Sequence, residues 1–361
     1  MLASPALFLS LLASGREPTN RAGPSPPPPT HLFVGGLGYC GARIAATFHG
    51  TYPGCAVSGT VRSPERRDAL LADRPAWLTG AVHVIDLDDE YAGLDSAGVA
   101  DLASASHVVQ TVAPIADFDK DPLLALHGSD IRASSSLRYV GYLSSTGVYG
   151  DHEGAWVTEE GSELRCVDAK SRARIVAEKE WGALERDDGG SPRVDFFRCG
   201  GIYGPGRGPL FSTESLQPPE AQSPSGEDIS GPPKYVNRIL VDDICGALLA
   251  AASRGRPPSP GGAAFNLVDD HPAPRRRVVA EARRLRSSRG GAGGDGRREP
   301  GGAAGTAARA TATKARQRVT RSTGNKRCRN ARLKETYGWE PTAPSYKEGL
   351  ALLLERSDLR Q

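Results

Sequence analysis

The stretch HLFVGGLGYCGARIAATF, residues 31 to 48, places Gly35, Gly36, Gly38 and Gly41 between an apolar strand-like run and a helix-like one. Glycines at this spacing let the backbone turn tightly and approach a phosphate. The first turn of the helix that follows offers unpaired N–H groups and the positive end of its dipole. A lone GxGxxG is weak evidence, but a strand before it and a helix after it are the context the motif requires. The stretch reads as a dinucleotide site built from Gly35, Gly36, Leu37, Gly38, Tyr39, Cys40 and Gly41. The plainer alternative is a glycine-rich turn that packs a helix close to a sheet.

The end of the second strand-like run reads GTVRS. A carboxylate about twenty residues past the glycines accepts the ribose hydroxyls of NAD. Here Val61 takes that place, and Arg62 and Ser63 follow. With no anion to repel it, a 2′-phosphate could pair with Arg62, so NADP is the expected cofactor, with NAD still open. Asp86 and Leu87 end a third run and Ala113 and Pro114 follow a fourth. These are positions at strand carboxyl ends, where open α/β sheets bind ligands.

Further along come GGLGYCG, VRSPER, DLDD, SSTGVYG, FRCGGIYGPGRG, RILVDD and FNLVDD. Together these motifs, over about residues 31 to 270, resemble the extended and atypical short-chain dehydrogenase/reductase proteins, the NAD(P)-dependent epimerase/dehydratase group. The resemblance implies a Rossmann domain, a nicotinamide cofactor and a small-molecule substrate. It implies that Ser145, with Thr146 beside it, hydrogen-bonds a substrate oxygen. It also implies a helix on which a Tyr-xxx-Lys pair precedes a glutamate by eight and four residues, the tyrosine acting as acid or base and the lysine holding the nicotinamide ribose. Counting back from Glu178 in DAKSRARIVAEKEW puts Arg174 at the lysine place and Lys170 at the tyrosine place. Arg174 could hold ribose hydroxyls but gives up no proton. The alternative is an exposed i,i+4 ion pair of Arg174 with Glu178 above a buried stripe of Ala173, Ala177, Trp181 and Leu184.

Substitute proton donors are Tyr149 and Tyr203, in loops expected to rim the cleft, and Lys170 if burial lowers its pKa. Arg207, in GIYGPGRG, could reach an anionic substrate group. In RILVDD, Leu240 stands where the resembling proteins have histidine. Arg238 and Asp242 fit substrate contact or a structural ion pair equally well.

These residues need a scaffold. HLFVG, CAVSGTV, AVHVID, HVVQTV, RYVGYLSS and RVDFFRC are near-continuously apolar, as strands buried on both faces are. They alternate with the helix-like YCGARIAATFHG, SPERRDALLADR, DPLLALHGSDI and DAKSRARIVAEKEWGAL. The pattern predicts an α/β fold with a doubly wound parallel sheet over 31–200 and a small, irregular C-terminal substrate portion over 201–361 that returns partly to the sheet. VDDICGALLAAAS, AAFNLVD and YKEGLALLLER supply its helices and strand. Low-complexity loops are expected at 212–234 and 287–325.

Bulk properties bound the rest. The net charge of +3 conceals a split, because about 19 basic and 3 acidic residues lie between Arg275 and Lys334. The remainder of the chain is therefore acidic, at about −13. The basic tract has no interleaved aromatics for base stacking, which argues against nucleic-acid binding. Six cysteines without CxxC or other ligand spacing read as reduced, mostly buried thiols, and no metal site is expected. Residues 1–30 read as a disordered leader, a secretory signal or an organelle transit peptide. The free thiols favour import into a chloroplast or other organelle, with the cytoplasm as the alternative. No later segment resembles a membrane span. Two function classes remain: an NADP-dependent reductase, dehydratase or epimerase on a small substrate, and a non-catalytic NADP-binding sensor or scaffold.

Overall fold

The computed structural model describes residues 26–86, 93–115, 120–186, 188, 190–212, 233–290 and 324–358. Most of the leader, Leu87 and the larger part of each expected low-complexity loop lie outside these residues.

Seven parallel strands form the central sheet: β1 (His31–Gly35), β2 (Ala56–Val61), β3 (Val82–Val84), β4 (His107–Gln110), β5 (Tyr139–Ser145), β6 (Arg193–Cys199) and β7 (Ala263–Leu267). Their order across the sheet is β7-β6-β5-β4-β1-β2-β3. The order reverses between β1 and β4, the switch point at which such sheets open a crevice. Strand alternation explains the two cores. Leu32 and Val34 of β1 face one layer and Phe33 the other, and Tyr139 and Leu143 of β5 oppose Val140 and Tyr142. Both faces are covered, so the strands are largely apolar, and the polar side chains they do carry, such as Thr60 and Arg198, are buried.

One layer is built on α1 (Tyr39–Thr51), through Ile44, Ala45 and Phe48, and on α6 (Val241–Ser253), through Ile244, Leu248 and Ala251. The short α8 (Ala331–Tyr337) adds Leu333 and Tyr337 there. The opposite layer holds α3 (Ser96–Ser104), α4 (Pro122–Ala133) and α5 (Ala169–Gly182), with Leu102, Leu123, Ile131, Ala177 and Trp181. Side chains start the helices: Ser63 caps α2 (Pro64–Asp73), and Asp95, Asp121 and Asp168 cap α3, α4 and α5.

The C-terminal portion is interleaved with the sheet. β7 pairs with β6 along five residues, and α6 packs beside α1. What stands apart is a smaller cluster of Tyr203, Leu210, Leu240, Val278, Tyr346 and Leu350, which joins α7 (Arg275–Gly290) to α9 (Tyr346–Asp358). All six cysteines are free, and four are buried. Among the described residues no helix is long and apolar enough to cross a membrane, and no cluster of ligating side chains is arranged to hold a metal.

Candidate functional site

The glycine turn is held from both sides. Gly36 has φ of +92° and donates its N–H to Thr60 Oγ1 at 2.9 Å. Thr111 Oγ1 donates to the carbonyls of Gly35 and Gly36 at 3.0 and 2.8 Å. Neither threonine stood out in the sequence, because an isolated Thr in a strand or just past its end carries no motif. A Cβ on Gly41 would stand 2.0 Å from Gly36 O, so only glycine lets α1 come this close to the turn.

Beyond the turn, the N–H groups of Tyr39, Cys40 and Gly41 precede the first intrahelical bond, from Ala42 N to Gly38 O, and no side chain caps them. Gly38 is exposed, and a Cβ there would meet nothing within 4 Å. The helix start is thus an open cradle of amide hydrogens under a positive dipole end, and it fits a diphosphate. Leu37 plays a different part from the one expected. Its N–H is donated to Thr60 O at 2.7 Å and its side chain is in the core, so it fixes the turn instead of offering an amide. Cys40 is half-buried, and burial pushes its thiol pKa up against the pull of Arg207 and Arg43.

At the end of β2, Arg62 is exposed, with no hydrogen-bond or ionic partner among the described residues. The Ser63 hydroxyl accepts from Arg66 N at 3.3 Å and so serves the cap of α2. Asp86 follows β3 half-buried, Ala113 is exposed and Pro114 buried.

At the end of β5, Ser145 Oγ accepts from Gly147 N at 3.0 Å, starting a short 3-10 turn over Thr146–Tyr149. The hydroxyl keeps its own proton to donate. Thr146 is buried and donates to Cys199 O at 3.3 Å. A Cβ on Gly147 would stand 2.8 Å from Ser171 Oγ and 3.2 Å from Ser145 Oγ, so the first turn of α5 rests directly on the Ser145 turn. Arg174 donates to Leu143 O at 3.2 Å, which ties its guanidinium to the end of β5. The fold therefore brings Ser145, Lys170 and Arg174 to one corner.

The alternative i,i+4 pair of Arg174 with Glu178 does not form. Glu178 is 6% exposed and turns inward, where Arg198 donates to its two oxygens at 3.1 and 2.8 Å and Ser144 donates at 2.6 Å. Burial opposes the charge on Arg198, and Glu178 outweighs it, so the guanidinium pKa is raised. The remainder of the predicted buried stripe holds: Ala173, Ala177, Trp181 and Leu184 are in the core. A signal for the inward pair was present in RVDFFRC, where one arginine interrupts a strand buried on both faces.

The substitute proton donors are also placed differently. Tyr149 is fully buried; its hydroxyl donates to Asn266 Oδ1 at 2.9 Å and accepts from Arg198 at 3.0 Å. Tyr203 is 2% exposed, and its hydroxyl abuts α9, where a Cβ on Gly349 would stand 1.9 Å away. Burial raises both phenol pKa values. Lys170 is exposed, so the burial that would make its ammonium a ready donor is missing.

Past the end of β6, a cavity of about 470 Å³ is lined by Gly201, Arg207, Arg238 and Arg275 with apolar Phe211, Val236 and Val279. Arg275 is a pocket residue that the sequence reading did not single out. Arg238 donates to the carbonyls of Val236 and Ala273 at 3.0 and 2.9 Å, and Asp242 bonds instead to Arg43 and Arg356, so the two residues form no pair. Arg207 belongs to both regions, since its guanidinium lies 5.2 Å from the ring centroid of Tyr39 on α1.

A parallel sheet in this order, a glycine cradle at the switch point and a pocket at the adjoining strand ends define the Rossmann fold shared by NAD-dependent epimerases and dehydratases of the short-chain dehydrogenase/reductase type. A functionally unknown conserved protein from Silicibacter pomeroyi matches with a TM-score of 0.63 at 29% identity, over 91% of this chain and 99% of its own. MoeE5 in complex with UDP-glucuronic acid and NAD matches at 0.60 and 18% identity, over 92% and 99%. The dTDP-glucose 4,6-dehydratase from Bacillus anthracis, in complex with NAD, matches at 0.59 and 13%, over 92% and 97%. No family model and no curated protein sequence matches the chain.

Proposed function

We propose that the chain binds a nicotinamide dinucleotide in the crevice between β1 and β4 and acts as an oxidoreductase or epimerase/dehydratase-type enzyme on a small anionic molecule. The observation that carries this reading is the uncapped start of α1, where three amides and the open space over Gly38 match a diphosphate. Gly36, Gly38 and Gly41 would hold the diphosphate, and Arg174 would hold the nicotinamide ribose. When bound, the nicotinamide supplies or accepts a hydride. Ser145 orients a substrate oxygen by donating its hydroxyl proton, and Arg207, Arg238 and Arg275 attract the substrate's negative charge. Lys170, an exposed ammonium, occupies the tyrosine place on α5 and is the remaining candidate proton source on that helix.

NAD is the reference cofactor, since the solved neighbours with a stated cofactor carry it. A preference for NADP is the second reading on this point. It is supported by Arg62, exposed and without a hydrogen-bond or ionic partner among the described residues, at the end of β2. Fluorescence titration with NADH and NADPH tests both: binding of neither ends the proposal, and an NADPH preference that disappears in Arg62→Ala supports the second reading.

A non-catalytic cofactor-binding module is favoured by one observation, the burial of Tyr149 and Tyr203 away from any role as acid. Loss of a positioned donor costs about 10²–10⁴ in rate while leaving binding intact. Tight NADH binding with no turnover over a panel of carbonyl and hydroxyl substrates would decide for this module.

A further inference from the structure

Tyr39 is the first residue of α1, yet its side chain leaves the cofactor cradle and meets the loop that lines the substrate cavity. The hydroxyl donates to Pro205 O at 3.2 Å. Arg207, from the same loop, and Arg43, one turn along α1, place their guanidinium carbons 5.2 and 5.5 Å from the ring centroid. Arg43 in turn bonds Asp242 at 3.5 Å, and Asp242 also bonds Arg356 of α9.

The loop is shaped for this contact. Gly204 and Arg207 exchange backbone hydrogen bonds of 2.9 and 3.0 Å, closing a tight turn, and Gly206 and Gly208 have φ of +72° and +105°. A Cβ on Gly204 would lie 2.5 Å from the Tyr39 hydroxyl, so a glycine is what lets the loop rest there. Nothing else among the described contacts of Arg207 fixes its guanidinium.

We propose that Tyr39 is a positioning residue: it aims Arg207 into the cavity, so that the anion affinity of the substrate pocket depends on a residue of the cofactor turn. This rests on the reading of the two sites as cofactor and substrate sites. A guanidinium lying on a ring keeps its charge while losing rotational freedom, and the Pro205 bond anchors the loop that carries it. Ring and hydroxyl make separable contributions.

The probe is inorganic pyrophosphate, titrated calorimetrically into the full chain at saturating NADH, which occupies the α1 amides and leaves the cavity as the anion site. Tyr39→Leu removes both contributions and is expected to weaken pyrophosphate binding about tenfold, and Tyr39→Phe, which keeps the ring, about threefold. Arg207→Gln weakens binding as well. In that background Tyr39→Leu is expected to add less than about twofold, because the tyrosine acts through the arginine. A merely structural role would instead give multiplying losses in the double variant. Multiplying losses, a Tyr39→Leu chain that binds pyrophosphate like wild type, or no pyrophosphate binding to the NADH-loaded wild type would each overturn the proposal. Failure of the wild-type chain to bind any nicotinamide dinucleotide would overturn the functional reading, a result distinct from these three.

Discussion

Arg198 on β6 and Glu178 on α5 form a bidentate ion pair, each side chain 7% exposed, directly beneath the turn that presents Ser145. Ser144, the neighbour of Ser145, donates a further hydrogen bond to Glu178, and the Tyr149 hydroxyl accepts one from Arg198. The pair thus ties α5 to β5 and β6 at the corner where the candidate chemistry sits.

Breaking one half of this pair leaves an uncompensated buried charge. Glu178→Gln or Arg198→Met is expected to destabilise the fold by about 3–5 kcal/mol, whereas the double variant, with both charges removed, recovers much of that loss. Urea unfolding of the three variants measures it. Equal losses in all three would mean that packing, not charge, is what the pair supplies.

Gly38 and Gly41 separate binding from folding. Gly38→Ala adds a Cβ into open space and makes a poorer cap, at a stability cost of about 1 kcal/mol. That methyl would take up part of the open space proposed for the diphosphate, so NADH affinity is expected to fall at least about tenfold. Gly41→Ala forces a Cβ to 2.0 Å from Gly36 O and is expected to cost about 1–3 kcal/mol through backbone shifts. Thermal melts paired with NADH titration check both, and unchanged NADH affinity in Gly38→Ala argues against the cradle.

Asp121, capping α4, is fully buried and accepts from Gln110 and from the amides of Leu123 and Leu124. Burial raises its pKa from 3.8 to about 6, against the pull of those hydrogen bonds. A carboxyl with a higher pKa folded than unfolded holds its proton more tightly in the folded state. Its contribution to stability is therefore complete below about pH 3.8 and is lost as pH rises through about 6. That loss is on the order of 3 kcal/mol. Asp121→Asn is expected to remove this fall, read as the difference between wild-type and variant unfolding free energies from pH 3.5 to 7.5. Parallel profiles would show that the carboxyl titrates alike in both states.

Lys170 and Arg174 allow a gain-of-function test. Lys170→Tyr with Arg174→Lys rebuilds the Tyr-xxx-Lys pair on the same helix. If the rest of the site is competent, turnover with a responsive carbonyl substrate is expected to rise by about 10²–10⁴, the worth of a positioned acid. No rise, with NADH binding retained, would place the deficit elsewhere and favour the non-catalytic module.

Much of the sheet was legible along the chain. The six runs predicted as strands coincide with β1 to β6 to within a few residues at each end, because strands buried on both faces must be continuously apolar and punctuated by turns. α3 and α8 escaped notice, being short and weakly patterned, and the arginine-rich α7 was hidden by its polar composition. Arg198 and Arg275 were missed as site-shaping residues because a charge in a strand or helix announces no partner.

By itself, the sequence determined the fold class and the glycine turn, since both follow from local regularities: a strand, glycines at fixed spacing and a helix start. The tertiary structure alone decided which way each polar side chain faces. Glu178 could have paired with Arg174 on its own helix, and instead turned inward to Arg198, twenty residues away, because β6 supplies a buried guanidinium that water cannot satisfy. In the same way, packing against Asn266 and Arg198 buried Tyr149, and contact with Pro205 turned the Tyr39 side chain toward the loop that carries Arg207. Such choices depend on partners distant in the chain, and no local pattern encodes them.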